Sequence, residues 1–365
     1  MSIKAFAARQ LTIITTDNCT ARCPHCVMCC TPGQKQSLTF EQMRSAIDEF
    51  HSAAPLALVV FTGGEPTLLL EDLLKAIRYA AGLGILTRLV TNCHWASSGQ
   101  KAKEMLKQLR AAGLGELNFS LDDYHAPYVP VENVIRAWKA SKGMGFSAVV
   151  IANSHGEHDR YVPETIEELL GEKVIIRRQK DRYKPHNDPR AADGTLYIIA
   201  EAFLQNTGRA SDAVEQDNFI SYETQDSLLT GCRWVGGQPA VSFDNHLWAC
   251  CGICCEENEL LELGSLTEES AVDILQRAAD SVLLNAIHHM GPLWLCRFVS
   301  AVDPSITFGG NFHSVCEVCE ALTTNHAAIA VLREHYAEIA EQIMACEERV
   351  LAESQPKQQE NTHEG

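Results

Sequence analysis

From Leu11 to about Val150 the chain alternates short apolar runs with stretches in which apolar residues recur three and four apart. Leu11–Thr16 predicts a buried strand that stops at Asp17-Asn18. Phe40, Met43, Ile47 and Phe50 mark the next helix, and Thr39 with Gln42 has the spacing of a capping box. Ala57–Phe61, ended by Gly63-Gly64, predicts a second strand; Leu86–Val90, Leu117–Leu121 and Phe146–Ile151 predict three more. Between them lie helical faces at Leu70, Leu73, Leu74 and Ile77, at Met105, Leu106 and Leu109, and at Val131, Val134, Ile135 and Trp138. Strands alternating with amphipathic helices pair in parallel through right-handed crossovers. The expected fold is α/β, a partial (β/α)6 TIM-like barrel, whose working face lies at the C-terminal ends of the strands. An open doubly wound sheet has the same periodicity.

Beyond Ala152 the pattern loosens. Val174–Ile176 predicts a strand, 177–194 a polar loop, and Leu196–Leu204 either a strand or a helix. A second Cys-rich region runs from Cys232 to Cys319 and contains a predicted hairpin around Asp244-Asn245-His246. Ile329, Leu332, Tyr336, Ile339, Ile343, Cys346 and Val350 predict one C-terminal helix, with Cys346 as a core thiol. The polar end, from Gln355, predicts disorder. The expected organisation is a barrel over 1–210, a small Cys-rich domain over 211–325, a C-terminal helix over 326–353 and a tail over 354–365.

Charge and cysteine usage narrow the chemistry. The 365 residues carry a net charge of −17, a poor match for phosphate backbones, so no nucleic-acid partner is expected. No apolar run approaches the ~20 residues needed to span a bilayer, and Met1–Gln10 lacks a signal-like apolar segment, so neither membrane association nor secretion is expected. Fifteen cysteines in clusters, in a chain expected to be cytoplasmic, point to metal or redox chemistry.

Cys19, Cys23 and Cys26 form C-x-x-x-C-x-x-C directly after the first strand. Thiolates favour iron–sulfur clusters, zinc or copper(I). A closed zinc site needs four ligands, and Cys29 and Cys30 are close by, so the ligands alone leave zinc open. Gly63-Gly64-Glu65-Pro66 follows the second strand. With both motifs in this order on consecutive strand ends, the chain resembles the radical S-adenosylmethionine superfamily, closely over Leu11–Asn153 and more weakly to Arg209.

The resemblance implies roles residue by residue. Cys19, Cys23 and Cys26 would ligate a [4Fe–4S] cluster whose open iron binds S-adenosylmethionine. Glu65 with Gly63-Gly64 would hold the cofactor's amino group, and His25 would line the adenine pocket. Ser120 would contact the amino-acid part, Asn153 the ribose, and Arg209, in Gly208-Arg209-Ala210, the carboxylate. Asp122 would lie at the mouth of the site, though an ordinary surface ion pair also suits Asp122 and Arg209. After Thr91-Asn92, relatives often continue with Gly where this chain has Cys93; Cys93, His94 and Trp95 would then face the cavity, with Cys93 either a structural thiol or a hydrogen donor to a substrate radical.

Cys232 and Cys250, then Cys316-Glu317-Val318-Cys319, resemble the ligand pattern of the twitch domain, the shorter relative of the SPASM domain. Cys232, Cys250, Cys316 and Cys319 would hold an auxiliary [4Fe–4S] cluster, with zinc on the same residues as the alternative. Cys251, Cys254, Cys255 and Cys296 are extra thiols without an assigned role.

The function so implied is reductive cleavage of S-adenosylmethionine to a 5′-deoxyadenosyl radical that abstracts hydrogen from substrate. The substrate class expected is a ribosomally made peptide, matured by crosslinking, epimerisation or oxidation. The alternatives are a small molecule such as an aminocyclitol or sugar, or a non-catalytic Fe–S or zinc protein. Expected partners are a reductant such as flavodoxin or ferredoxin and a separate peptide-recognition protein.

Overall fold

The structure, a computed structural model, describes residues 8–53, 56–181, 184–221, 224–252 and 258–354. Cys254, Cys255 and the polar stretch from Gln355 lie outside the described residues. The strands are β1 (Gln10–Ile14), β2 (Leu58–Thr62), β3 (Leu86–Thr91), β4 (Glu116–Ser120), β5 (Ala148–His155), β6 (Ile175–Arg177), β7 (Leu196–Phe203), β8 (Ala240–Val241), β9 (His246–Trp248) and β10 (Glu262–Ser265). Helices α1 (Phe40–Ala53), α2 (Leu70–Gly82), α3 (Gly99–Ala111), α4 (Val131–Ser141) and α5 (Pro163–Leu170) connect the first six strands. A short α6 (Ala210–Ala213) follows β7. After β10 come α7 (Ala271–Ala279), α8 (Val282–His289), α9 (Pro292–Val302), α10 (Val315–Thr323), α11 (His326–Glu334) and α12 (Tyr336–Ser354).

β1, β2, β3, β4, β5 and β7 are parallel neighbours in chain order, and β6 pairs on the outside of β7. A doubly wound sheet reverses its strand order at a switch point. No reversal occurs within β1–β5, so the chain has the parallel core of a partial TIM-like barrel. Leu11, Ile13, Phe61, Leu89, Phe119 and Trp138 fill the layer between sheet and helices. The Thr39–Gln42 capping box is present: Gln42 N–H donates to Thr39 Oγ1 (3.3 Å), and Thr39 N–H donates to Gln42 Oε1 (2.9 Å).

The ambiguous Leu196–Leu204 run is strand β7, buried against β5 over eight residue pairs. The predicted hairpin is β8–β9. It does not stand apart: β8 pairs in parallel with Thr12 and Ile13 of β1, so one ten-stranded sheet runs from β10 to β6. A second core covers this end, with Ile14, Trp248, Leu284, Cys296, Val318 and Ile339 among its buried residues. Four helices, α7–α10, fill 271–323, where no helix was expected. The expected single C-terminal helix is two, broken at His335, whose N–H bonds back to Leu332 (3.2 Å) and closes α11.

Candidate active site

The loop after β1 is shaped by its neighbour at the end of β2. Gly63 has φ +134°, and a Cβ there would stand 2.7 Å from the Thr16 carbonyl oxygen. A Cβ on Gly64 would collide with the Asn18 carbonyl. The paired glycines therefore let the β2 turn press onto the β1 loop, and Gly64 N–H (2.7 Å) and Glu65 N–H (2.9 Å) bond to the Thr16 and Asn18 carbonyls. The loop then carries Cys19, Cys23 and Cys26 to the wall of a cavity of about 280 Å³. Gly63, Gly64, Asn92, Ser120 and His125 line the same cavity.

These residues suit a thiolate-bound group. Cys19 Sγ accepts from Ala21 N–H (3.4 Å) and from Asn92 Nδ2 (3.8 Å). Asn92 is held in turn by Thr20 (3.0 Å), a role its position beside the motifs did not disclose. Burial pushes the Cys19 thiol up to about 12. The Cys26 thiol is held below its ordinary value, chiefly by a hydrogen bond from Cys30, with Arg209 adding positive charge.

Glu65 is fully buried and does not reach the cavity wall. Its carboxylate accepts from Thr67 N–H (3.2 Å), Thr67 Oγ1 (2.6 Å), Thr91 Oγ1 (2.9 Å) and Asn92 N–H (2.9 Å). It thus binds the end of β3 to the turn after β2. Arg209 likewise points to the loop. Its guanidinium donates to the carbonyls of Cys23 (2.7 Å) and Cys30 (2.9 Å), and its N–H to that of Cys26 (3.2 Å). Gly208, at φ +58°, leaves no room for a Cβ beside Val27.

Asp122 is not a surface residue. It is 2% exposed and accepts from His25 Nε2 (3.2 Å), His125 Nδ1 (2.8 Å) and the backbone N–H groups of Tyr124 (3.0 Å) and His125 (2.8 Å). Burial would raise its carboxyl, but the charges of His125 and His25 outweigh that and hold it well below the usual range. His25 stacks on Tyr124 with ring centroids 4.8 Å apart. Asn153 donates to the carbonyls of Leu121 (2.9 Å) and Tyr161 (2.7 Å), which leaves its buried Oδ1 without a partner.

A second cavity, of about 470 Å³, lies along β4, β5 and β7. Asp122, Asn153, Arg88, Glu116, Arg178 and Glu201 line it. His25, Ser120, His125 and Ser154 belong to both walls, so the two spaces adjoin. Ser154 carried no signal in the sequence beyond its place near a strand end.

Cys93 does not face either cavity. It is fully buried in the main core, its thiol turned toward the Thr91 carbonyl (4.0 Å), and burial raises that thiol well above its ordinary range. The expected placement is corrected by the backbone: Cys93 has φ +64°, which turns its side chain inward. His94 and Trp95 are also turned away, bonding to Thr67 (3.1 Å) and Thr91 (3.0 Å).

At the other end, the fold brings the second set of cysteines together. Cys316 and Cys319 lie one turn apart on α10, and the Cys250 and Cys316 sulfurs flank Gly252. Cys232 and Cys250 lie within electrostatic reach of Cys319, as does the buried Cys296. Gln205 lines the first cavity and also a third, of about 310 Å³, beside Cys232 and Cys316.

Residues 13–169 match the radical SAM superfamily. The YydG protein of Bacillus subtilis (strain 168), named for peptide biosynthesis, is 24% identical over 327 residues, spanning 86% of this chain and 92% of its own. A GTP 3′,8-cyclase of Marinobacter nauticus is 30% identical over 173 residues, 44% of this chain and 50% of its own. Native anSMEcpe, solved with bound AdoMet and Cp18Cys peptide, aligns at TM-score 0.47 and 13% identity over 92% of this chain and 99% of its own. That superfamily uses a [4Fe–4S] cluster and S-adenosylmethionine, and by this match residues 13–169 of the chain form a radical SAM domain.

Proposed function

We propose that the protein modifies a peptide by radical chemistry, with Cys19, Cys23 and Cys26 holding the radical cluster. The observation that carries this reading is the meeting of those three cysteines, Gly63-Gly64 and Ser120 on one cavity that shares a wall with a second, polar one. When bound, the cluster supplies the electron that cleaves S-adenosylmethionine to a 5′-deoxyadenosyl radical, which takes hydrogen from substrate. The chain's residues shape and shield that event. Asn92 and the loop backbone donate hydrogen bonds toward sulfur, Arg209 fixes the loop carbonyls, and Glu65 fixes the turns that frame the cavity. Asn153 Oδ1, orphaned and buried, is an acceptor suited to a ribose hydroxyl.

The similarity to YydG over most of both chains supports a peptide as substrate. Cys232, Cys250, Cys316 and Cys319, which the fold brings within electrostatic reach of one another, would hold an auxiliary [4Fe–4S] cluster. The test is anaerobic assay of 5′-deoxyadenosine with S-adenosylmethionine and a reductant such as flavodoxin. Replacing Cys19, Cys23 and Cys26 together by Ala should abolish its formation; undiminished cleavage would overturn the reading. Mass spectrometry of a candidate peptide substrate then reads the modification itself.

A further inference from the structure

Behind Cys23 lies a ligand set that the radical reaction does not account for. Ligand atoms of Cys23, His25 and His125 all lie within 4.8 Å of one another. Each imidazole has one nitrogen against the same carboxylate: His25 Nε2 at 3.2 Å and His125 Nδ1 at 2.8 Å from Asp122 Oδ2. Metal-bound histidines characteristically present their second nitrogen to a carboxylate, which fixes the ring and raises its basicity. A single buried Asp serves both rings here. The remaining nitrogen of His25, Nδ1, is buried and has no hydrogen-bond partner. Two imidazoles, one thiolate and an adjoining cavity for a water molecule make a four-coordinate set of borderline softness, which suits zinc.

We propose that Cys23, His25 and His125 form a zinc site that is available only while Cys23 is not bound to the cluster, so that zinc and cluster loading exclude each other. The proposal rests on the reading of Cys23 as a cluster ligand. Binding is balanced by loss to solvent of the Cys23 thiol proton and of any proton on the ligating nitrogens of His25 and His125; no redox step is involved. Its consequence is that zinc met before iron occupies the site and blocks cluster assembly at Cys19, Cys23 and Cys26. Zinc is thus a poison of maturation and not a cofactor.

The test uses the full chain, reduced and stripped of metal under anaerobic conditions. Zinc per chain is counted in wild type and in His125→Gln, which keeps a polar side chain beside Asp122 but ligates poorly; a thermal melt checks that the variant is folded. Wild type should hold about one zinc more per chain than His125→Gln. Asp122→Asn should weaken that zinc by about 10–100-fold. Cobalt(II) as a probe should give a sulfur-to-metal charge-transfer band that falls in Cys23→Ala as well as in His125→Gln. Preloading with zinc should cut iron uptake on reconstitution by about four irons in wild type and not in His125→Gln. Equal zinc counts in wild type and folded His125→Gln, or zinc preloading that leaves iron uptake unchanged, would overturn the proposal. Failure of the cluster reading looks different: zinc-free wild type and the Cys19/Cys23/Cys26 variant would then load the same iron.

Discussion

At the scale of single residues, the site is built by side chains that serve the backbone first. Glu65 receives four hydrogen bonds in a fully buried place. Glu65→Gln puts an amide donor where an acceptor is needed, and should cost about 1–3 kcal/mol in urea unfolding, because buried donors lose their partner. Cys93 makes a sharper case. Its left-handed backbone explains why glycine suits that position, since a side chain there costs about 1–2 kcal/mol. Cys93→Gly relieves that strain and loses buried thiol contacts, so its stability should stay within about 1 kcal/mol of wild type. It should still form 5′-deoxyadenosine and product at normal rates; loss of product with the first step intact would restore the thiol as a hydrogen donor. The motif residues were legible because each follows a strand end. The direction of the Cys93, Glu65 and Arg209 side chains was not, because it depends on φ and on partners 26 to 186 residues away.

At the scale of elements, the Gln205–Arg209 segment after β7 is a strap between two cysteine-bearing pieces. Arg209 holds the β1 loop, while Asn206 donates to Glu317 (2.7 Å) and Gly208 N–H to Glu320 (3.4 Å), both on α10 between and beside Cys316 and Cys319. Arg209→Lys loses the planar fork that reaches two carbonyls at once. It should speed loss of the radical cluster to a chelator, followed by its absorbance, while Arg209 replaced at no cost to retention would refute the strap. β7 and α5 meet through Arg178, which pairs with Glu201 (2.9 Å) and with Glu164. Burial opposes ionisation of Glu201, but the Gln179 N–H and Arg178 outweigh it and hold the carboxyl below its ordinary value. A depressed carboxyl contributes stability above its unfolded value of about 4.3, and that contribution is lost as pH falls through the folded value. The urea midpoint of wild type should therefore drop more steeply below about pH 4.3 than that of Glu201→Gln. Strands β1–β5 were legible from their apolar runs. Helices α7–α10 were not, because cysteines, His288-His289 and Pro292 obscure their periodicity, and the break at His335 sits within an unbroken apolar stripe.

At the scale of the whole molecule, one sheet joins two cores. β8 adds to the edge that β1 would otherwise expose, so the Cys-rich end covers the first strand of the parallel core. The radical cluster and the proposed auxiliary cluster together predict about eight irons per chain after anaerobic reconstitution, and about four in the Cys19/Cys23/Cys26 variant. Zinc in place of those four would favour a structural metal on Cys232, Cys250, Cys316 and Cys319; about twelve irons would require a third cluster using the remaining thiols. The parallel order of the strands could be read from the alternation of strands and helices. The joining of β8 to β1 could not, since it pairs residues 228 apart.

The distance along the chain between the first loop and its strap has a consequence for biosynthesis. Cys30 is made 179 residues before Arg209, which binds its carbonyl. At about 5–20 residues per second, ribosomes leave the loop without that anchor for about 10–35 s. In the finished fold Cys23 is 6% and Cys30 2% exposed; a nascent chain that lacks the anchor would leave both open to oxygen and to alkylation. A thiol-alkylating pulse should label Cys30 in chains arrested before Gln205 and spare it in released chains. The protein's oxygen sensitivity would then begin on the ribosome, before either cluster is present, and slower translation would lengthen it.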